Sequence, residues 1–183
     1  MGGKEKIFVE VGGTPILDRI MDRIAHQVDR MVVNANGDAA RFNSSGLTII
    51  PDLPDDTETP LAGLHAAFHW AKTHDFEALL TVPSDTPFLP RDLVAKLAAA
   101  RKEAVIAASG GQEHYLTGLW AVSLGDALDE AVRSTPLVRV KDWAKQANAA
   151  IVAWPDEPFD PFFNVNTPED LAEAQGIEAE FAP

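Results

Sequence analysis

Polar residues stand directly behind apolar runs at several points in this chain. Asn34 follows Met31-Val32-Val33, Asp52 follows Ile49-Ile50-Pro51, Asp85 follows Leu79-Leu80-Thr81-Val82, and Asn164 and Asn166 follow Phe162-Phe163. In an open α/β sheet, ligands gather outside the carboxyl ends of the strands, so these side chains would ring one edge of such a sheet. Asp85, held between Pro83 and Pro87, is a rigid hard-oxygen donor. Magnesium takes few protein carboxylates of this kind and fills its remaining positions with water and substrate phosphate. The same residue could instead cap the next turn. Asn164 and Asn166 alternate along an extended segment, which puts both amides on one side; Asn166 and Thr167 could also simply begin a helix. Lys6 comes soon after Gly2 and Gly3, and a lysine behind glycines can meet a phosphate as a point charge. His65 and His69 sit one helical turn apart, a spacing that can chelate a metal, but Leu64 to Trp70 offers no acidic third ligand. Gly110-Gly111-Gln112-Glu113-His114 reads either as a substrate lid or as a hairpin turn. The tryptophans Trp70, Trp120, Trp143 and Trp154 read as packing.

The elements that must position these groups follow from the hydrophobic pattern. Lys6 to Val11 reads as extended chain ended by Gly12-Gly13, with Thr14 as N-cap and Pro15 at the first position of a helix. Ile16, Ile20, Ile24 and Val28 then recur at helical spacing. Short buried strands are expected near Arg30 to Asn34, Leu47 to Ile50, Ala78 to Val82, Ala104 to Ala108, Thr117 to Val122, Ala150 to Trp154 and Phe162 to Val165. Between them, helices are expected from Leu61 to Thr73, Pro90 to Lys102, Leu124 to Arg133 and Val138 to Ala147. Pro51 to Pro60 reads as a loop. Thr167 caps a last helix that opens with Pro168 and carries Glu169 and Asp170 in its first turn, where the helix dipole favours them. Alternation of strand and helix predicts a mostly parallel sheet with helices on both faces, in one domain spanning residues 1–183.

The composition excludes several classes. Asp and Glu number 28 against 15 Lys and Arg, a net charge of −13, which argues against a basic nucleic-acid surface. An enzyme this acidic that handles phosphates needs a local cation or a metal to offset its own field. No segment approaches the ~18 apolar residues of a membrane span, and the start lacks the apolar run of a signal peptide. There is no cysteine, which excludes disulfides and thiolate metal sites and is compatible with a cytoplasmic protein.

The order Met1-Gly2-Gly3-x-x-Lys6, Val32-Val33-Asn34-Ala35-Asn36, Ser45-Gly46-Leu47 with Asp52, Pro60-Leu61-Ala62-Gly63, Ser84-Asp85-Thr86-Pro87 and Asn164-Val165-Asn166-Thr167-Pro168-Glu169 resembles that of molybdenum cofactor guanylyltransferases over nearly the whole chain. The asparagine repeat and the Asp-Thr-Pro step are the most specific pieces. The resemblance implies a three-layer Rossmann-like nucleotidyltransferase fold. It implies transfer of GMP from GTP to molybdopterin-bound molybdenum, with magnesium as cofactor and pyrophosphate released. Gly2, Gly3 and Lys6 would contact the nucleotide phosphates, Asn34 and Asp52 the guanine nucleotide, Asp85 the magnesium, and Asn164 and Asn166 the molybdopterin. Lys6 and Asp85 would be the catalytic pair. Such chemistry needs charge neutralisation and alignment more than a protein nucleophile. Molybdoenzyme chaperones or molybdenum-insertion proteins are the partners it implies.

The resemblance also carries departures. Relatives normally open with a strand and a Leu-Ala-Gly-Gly-x-Ser-x-Arg-Met-Gly loop, and this chain starts at that methionine. The expectation is therefore a domain lacking its first central strand, with Met31–Asn34 and Ala78–Val82 bordering the gap, low stability and weakened GTP binding. Tyr115-Leu116 follows His114 where many members have His-Pro, so no substrate contact is carried over to that loop. A cytidylyltransferase acting on the same cofactor and a non-catalytic paralogue are the alternative readings.

Overall fold

The structure is a computed structural model that describes residues 6–53, 59–134 and 139–181. Gly2, Gly3, the centre of the expected Pro51 to Pro60 loop, and Val138 lie outside the described residues. Eight strands are described: β1 (Glu10–Val11), β2 (Thr14–Pro15), β3 (Val32–Asn34), β4 (Thr48–Ile50), β5 (Ala78–Thr81), β6 (Ala104–Ser109), β7 (Gln112–Ala121) and β8 (Ala150–Trp154). The helices are α1 (Ile16–Ile24), α2 (Pro60–Thr73), α3 (Leu93–Ala99), α4 (Gly125–Ser134), α5 (Val140–Gln146) and α6 (Pro168–Phe181).

The period-2 alternation of β6 organises the layers. Every residue of β6 is buried. Val105 and Ala107 enter a core with Ile16, Ile20, Ile24, Leu93, Leu97, Phe162 and Ala174, beneath α1, α3 and α6. Ala104 and Ile106 enter a second core with Leu61, Leu64, Phe68, Trp120, Leu128 and Trp143, beneath α2, α4 and α5. A strand apolar on both faces is what a sheet covered on both sides requires. Trp120 is wholly buried, and its indole N–H donates to Thr81 Oγ1 at 3.0 Å, tying β7 to β5. Gly118 leaves room for that ring, since a Cβ there would lie 2.9 Å from three of its atoms.

The larger sheet runs β5-β7-β6-β8, and β3 pairs with β4 in a separate ladder. β6 and β8 are parallel, as are β3 and β4, while β7 is antiparallel to both its neighbours. Hence β5, β6 and β8 share one direction, and the expected mostly parallel sheet is interrupted by β7 alone. The described strands leave one edge of β3 and one edge of β5 unpaired. Both edges line a single cleft of about 670 Å³, together with Leu17 and Ile20 of α1 and Leu64 and Ala67 of α2.

Three local expectations are corrected, and of two readings left open for the glycine loop one holds. Thr14-Pro15 forms β2 rather than a helix start. Gly12 and Gly13, both at positive φ, turn β1 back onto β2, so the N-cap moves to Pro15 and the helix begins at Ile16. The Gly110–His114 segment is a tight hairpin rather than a lid. Gly110 (φ 52) and Gly111 (φ 78) make a two-residue turn of the kind that suits the twist of antiparallel strands. Gln112, Glu113 and His114 are already in β7. The helix expected from Pro90 to Lys102 is confined to Leu93–Ala99. Phe162–Val165 makes no ladder, although Phe162 and Val165 are buried and Asn164 and Asn166 exposed. α6 starts where expected: Thr167 Oγ1 accepts from the Asp170 N–H, and Asp170 accepts from the N–H groups of Asn166 and Thr167. Among the described residues, no helix is long and apolar enough to cross a membrane.

Candidate functional site

Parallel pairing of β3 with β4 sets Asn34 opposite Ile50 and brings Asp52 within reach. Asn34 Nδ2 donates to Asp52 Oδ1 at 2.9 Å and to the Ile50 carbonyl at 3.2 Å. Asn36 closes the same unit: its Nδ2 donates to Asp52 Oδ2 at 2.8 Å, and its Oδ1 accepts from the Asp52 N–H at 3.0 Å. Two amides thus hold one carboxylate. The first turn of α2 presses on this unit, because a Cβ on Gly63 would lie 2.4 Å from Asn34 Oδ1. Only a glycine lets the helix approach the amide so closely.

A second group forms where the chain beyond β5 meets the segment before α6. The Val165 N–H donates to the Asp85 carbonyl at 2.9 Å, docking that segment beside the turn after β5. Asn164 Nδ2 then donates to Asp85 Oδ1 at 3.3 Å. Lys6, in the short 3₁₀ helix Lys6–Phe8, donates from Nζ to Asn166 Oδ1 at 2.5 Å. Burial pushes the Asp85 carboxyl above the usual carboxylate range, with its own backbone N–H and the Lys6 charge opposing. A carboxylate desolvated in this way gains strongly from a nearby cation. Among the described residues, no cluster of three or more His, Asp or Glu could enclose a metal. Asp85 therefore offers one anionic oxygen donor, which fits a magnesium ion whose other ligands come from water and phosphate rather than an all-protein cage.

Asn34, Asp85 and Asn164 line the same cleft. Of the eight residues expected in the site, Asn34 and Asp52 bond each other, while the Asn164–Asn166 segment carries separate bonds to Asp85 and to Lys6; the other two, Gly2 and Gly3, are not described. His65 and His69 do not form a metal pair: His65 is buried and faces Asp129 at 3.3 Å, whereas His69 is exposed. Sequence reading missed the contribution of Asn36, although it repeats the two-residue spacing seen at Asn164 and Asn166. It also missed Gly63 as the residue that lets α2 approach Asn34. His114, from β7, lines the cleft as well, and its neighbours Ser109 and Asp160 had no local signal.

Comparison with known proteins gives the following. The MobA-like NTP transferase domain family matches residues 1–150. A molybdenum cofactor guanylyltransferase of Rhodopseudomonas palustris is 44% identical over 183 residues, covering 97% of this chain and 87% of the relative. The crystal structure of molybdopterin-guanine dinucleotide biosynthesis protein A from Archaeoglobus fulgidus superposes with a TM-score of 0.72 at 22% identity, covering 98% of this chain and 93% of the other. The 2-C-methyl-D-erythritol 4-phosphate cytidylyltransferase of Thermus thermophilus gives 0.65 at 17% identity, with 95% and 94% covered. Enzymes named for different nucleotides thus share the fold, and the fold does not select the base.

Proposed function

This chain belongs to the MobA-like NTP transferase family, and from that premise we propose that it is a molybdenum cofactor guanylyltransferase, joining the GMP part of GTP to the molybdenum-bearing molybdopterin and releasing pyrophosphate. The observation that carries this reading is the cleft in which Asp85 and Asn164 face the same space as Asn34. Two substrates can meet there, each on its own set of polar groups. In the reaction, an oxygen of the terminal phosphate of molybdopterin forms a bond to the α-phosphorus of GTP as the bond to the pyrophosphate oxygen breaks.

The roles follow from the chemistry of the donors. The Asn34, Asn36 and Asp52 unit presents amide and carboxylate edges suited to the hydrogen-bonding edge of a guanine nucleotide. Lys6, at the end of its bond to Asn166, supplies positive charge to phosphate on a strongly acidic protein. Asp85 would hold magnesium, which neutralises phosphate charge when bound. Asn164 holds the Asp85 carboxylate in place and, with Asn166, faces the molybdopterin. No protein nucleophile is required. A cytoplasmic site of action and delivery of the product to a molybdoenzyme chaperone or insertion protein belong to the same reading. Single-turnover assays with molybdenum cofactor, magnesium and either GTP or CTP test it. Formation of the guanine dinucleotide at a rate well above that of the cytosine product is expected, and the reverse preference would overturn it.

A further inference from the structure

Ser109 Oγ stands between two partners on different elements. It donates to Asp160 Oδ1 at 2.7 Å and lies 2.7 Å from His114 Nε2. Asp160 Oδ1 also accepts the Phe162 N–H at 2.8 Å. A serine hydroxyl has a single proton, and a carboxylate can only accept. With that proton directed to Asp160, the contact to His114 must be an Nε2–H donated to Ser109 Oγ. The network therefore selects the Nε2–H tautomer and leaves Nδ1 with a bare lone pair. Burial holds this imidazole below its ordinary pKa, with the Asp160 charge opposing, which agrees with a neutral ring.

Among the described residues none donates to Nδ1, and His114 is only half-buried. It is therefore open, on a residue that lines the cleft. Two features place it. β7 makes an irregularity against β6: His114 pairs with Ala107 and Gly118 with Ile106, so Tyr115, Leu116 and Thr117 are extra residues between adjacent partners. Bulges of this kind re-aim side chains beside functional sites. The His114 ring also packs on Phe162 at 4.7 Å between centroids, and Asn164 follows Phe162 by two residues. His114 thus stands on the Asp85–Asn164 side of the cleft.

A neutral imidazole that offers a lone pair repels phosphate oxygens and accepts N–H groups. We propose that His114 Nδ1 is a specificity-determining acceptor for an N–H of the nitrogen heterocycle in the second substrate, the pterin, and that Ser109 and Asp160 are positioning residues that lock its tautomer. This deepens the guanylyltransferase reading and rests on it for the identity of the substrate.

Substitution separates the two ring nitrogens. His114→Gln can keep a donor to Ser109 but loses the acceptor at Nδ1. His114→Asn can place Oδ1 where Nδ1 was. For one neutral hydrogen bond, His114→Gln is expected to raise KM for the molybdenum cofactor about tenfold with KM for GTP unchanged, and His114→Asn to recover most of that loss. A rise in KM for GTP instead, or an Asn variant no better than Gln, overturns the proposal. Nitrogen-15 NMR of the wild-type histidines supplies a readout without turnover. The expected result is an Nε2–H tautomer of His114 that Ser109→Ala releases, and an Nδ1 resonance that moves on titration with a reduced pterin. An Nδ1–H tautomer, or no response to pterin in a protein that does transfer GMP, overturns the subsite and leaves the activity standing. A His114 that responds to pterin in a protein without guanylyl transfer upholds the subsite and overturns the activity.

Discussion

Replacing Gly63 by alanine should leave the fold almost as stable as before while weakening GTP. The new methyl would lie 2.4 Å from Asn34 Oδ1 and 3.3 Å from its Cγ, roughly 1 Å inside ordinary contact. No positive φ is involved at Gly63, so the side chain of Asn34 yields. Its bonds to Ile50 and Asp52 are then stretched or lost. Each contributes about 0.5–1.5 kcal/mol, toward the low end here because Asn34 is exposed and water replaces the partner. Alanine in place of glycine within a helix returns about 0.8–1.0 kcal/mol. The two effects nearly cancel, and the net change should stay within about 1 kcal/mol, a few degrees in Tm. Binding has no such compensation. If the Asn34 amide serves the nucleotide, displacing it removes one contact, about tenfold in KM for GTP, with KM for the molybdenum cofactor unchanged. Thermal unfolding and two-substrate kinetics measure both sides. In an Asn34→Ala background the clash is gone, so Gly63→Ala should there stabilise by the full helix increment, a non-additivity that a double-mutant cycle reads directly. A loss of stability above about 3 kcal/mol would show that backbone rather than Asn34 had to move. Unaltered KM for GTP at unaltered stability would take Asn34 out of the nucleotide site.

Asp85→Asn keeps the size and removes the charge. The fold should persist and turnover fall by on the order of 10²-fold, and unchanged turnover at limiting magnesium would remove Asp85 from metal binding. Thr117 is fully buried, and its Oγ1 finds no hydrogen-bond partner among the described residues. Thr117→Val, of nearly equal shape, should therefore raise the unfolding free energy by about 1 kcal/mol, read as a higher denaturant midpoint at constant m; a clear fall would mean that the hydroxyl is paired. Arg19, buried in α1, donates to the Val11 carbonyl at 2.8 Å and reaches Glu178 of α6 through two contacts of 2.7 Å. Its hydrogen bond holds the Glu178 carboxyl below the usual 4.5. Stability from this pair is thus present above pH 4.5 and lost as pH falls through the lowered folded value. Glu178→Gln should destabilise at neutral pH and flatten the stability profile below 4.5, and an unchanged slope there would assign the acid sensitivity to other carboxylates.

What could be read from the sequence divides according to the range of the interaction that encodes it. Apolar runs closed by a polar residue located β3, β4, β5, β6 and β8 to within a few residues, because one buried strand carries that signal by itself. The capping residues Thr167 and Asp170 located the start of α6 for the same reason. β7 was half lost. Gln112, Glu113, His114 and Tyr115 are polar or exposed enough to read as loop, and only the ladder to β6 shows that they are strand. Thr14 and Pro15 were drawn into α1 because local capping preference competes there with a hairpin whose evidence, two glycines at positive φ, is conformational.

The site divides along the same line. Asn164 and Asn166 are both exposed on either side of the buried Val165, as alternation along an extended segment requires. Asn34 and Asp52 were each legible as strand ends, but their direct bond depends on a parallel register that no spacing announces. Ser109, His114 and Asp160 form the extreme case. The serine and the carboxylate are 51 positions apart, and the histidine reaches the serine only because Gly110-Gly111 reverses the chain in two residues. His114 stands out only as the end of the glycine loop, and Ser109 and Asp160 not at all. Their chemistry arises from one proton that has a single place to go, and that constraint exists only once β6, β7 and the chain before Phe162 have come together.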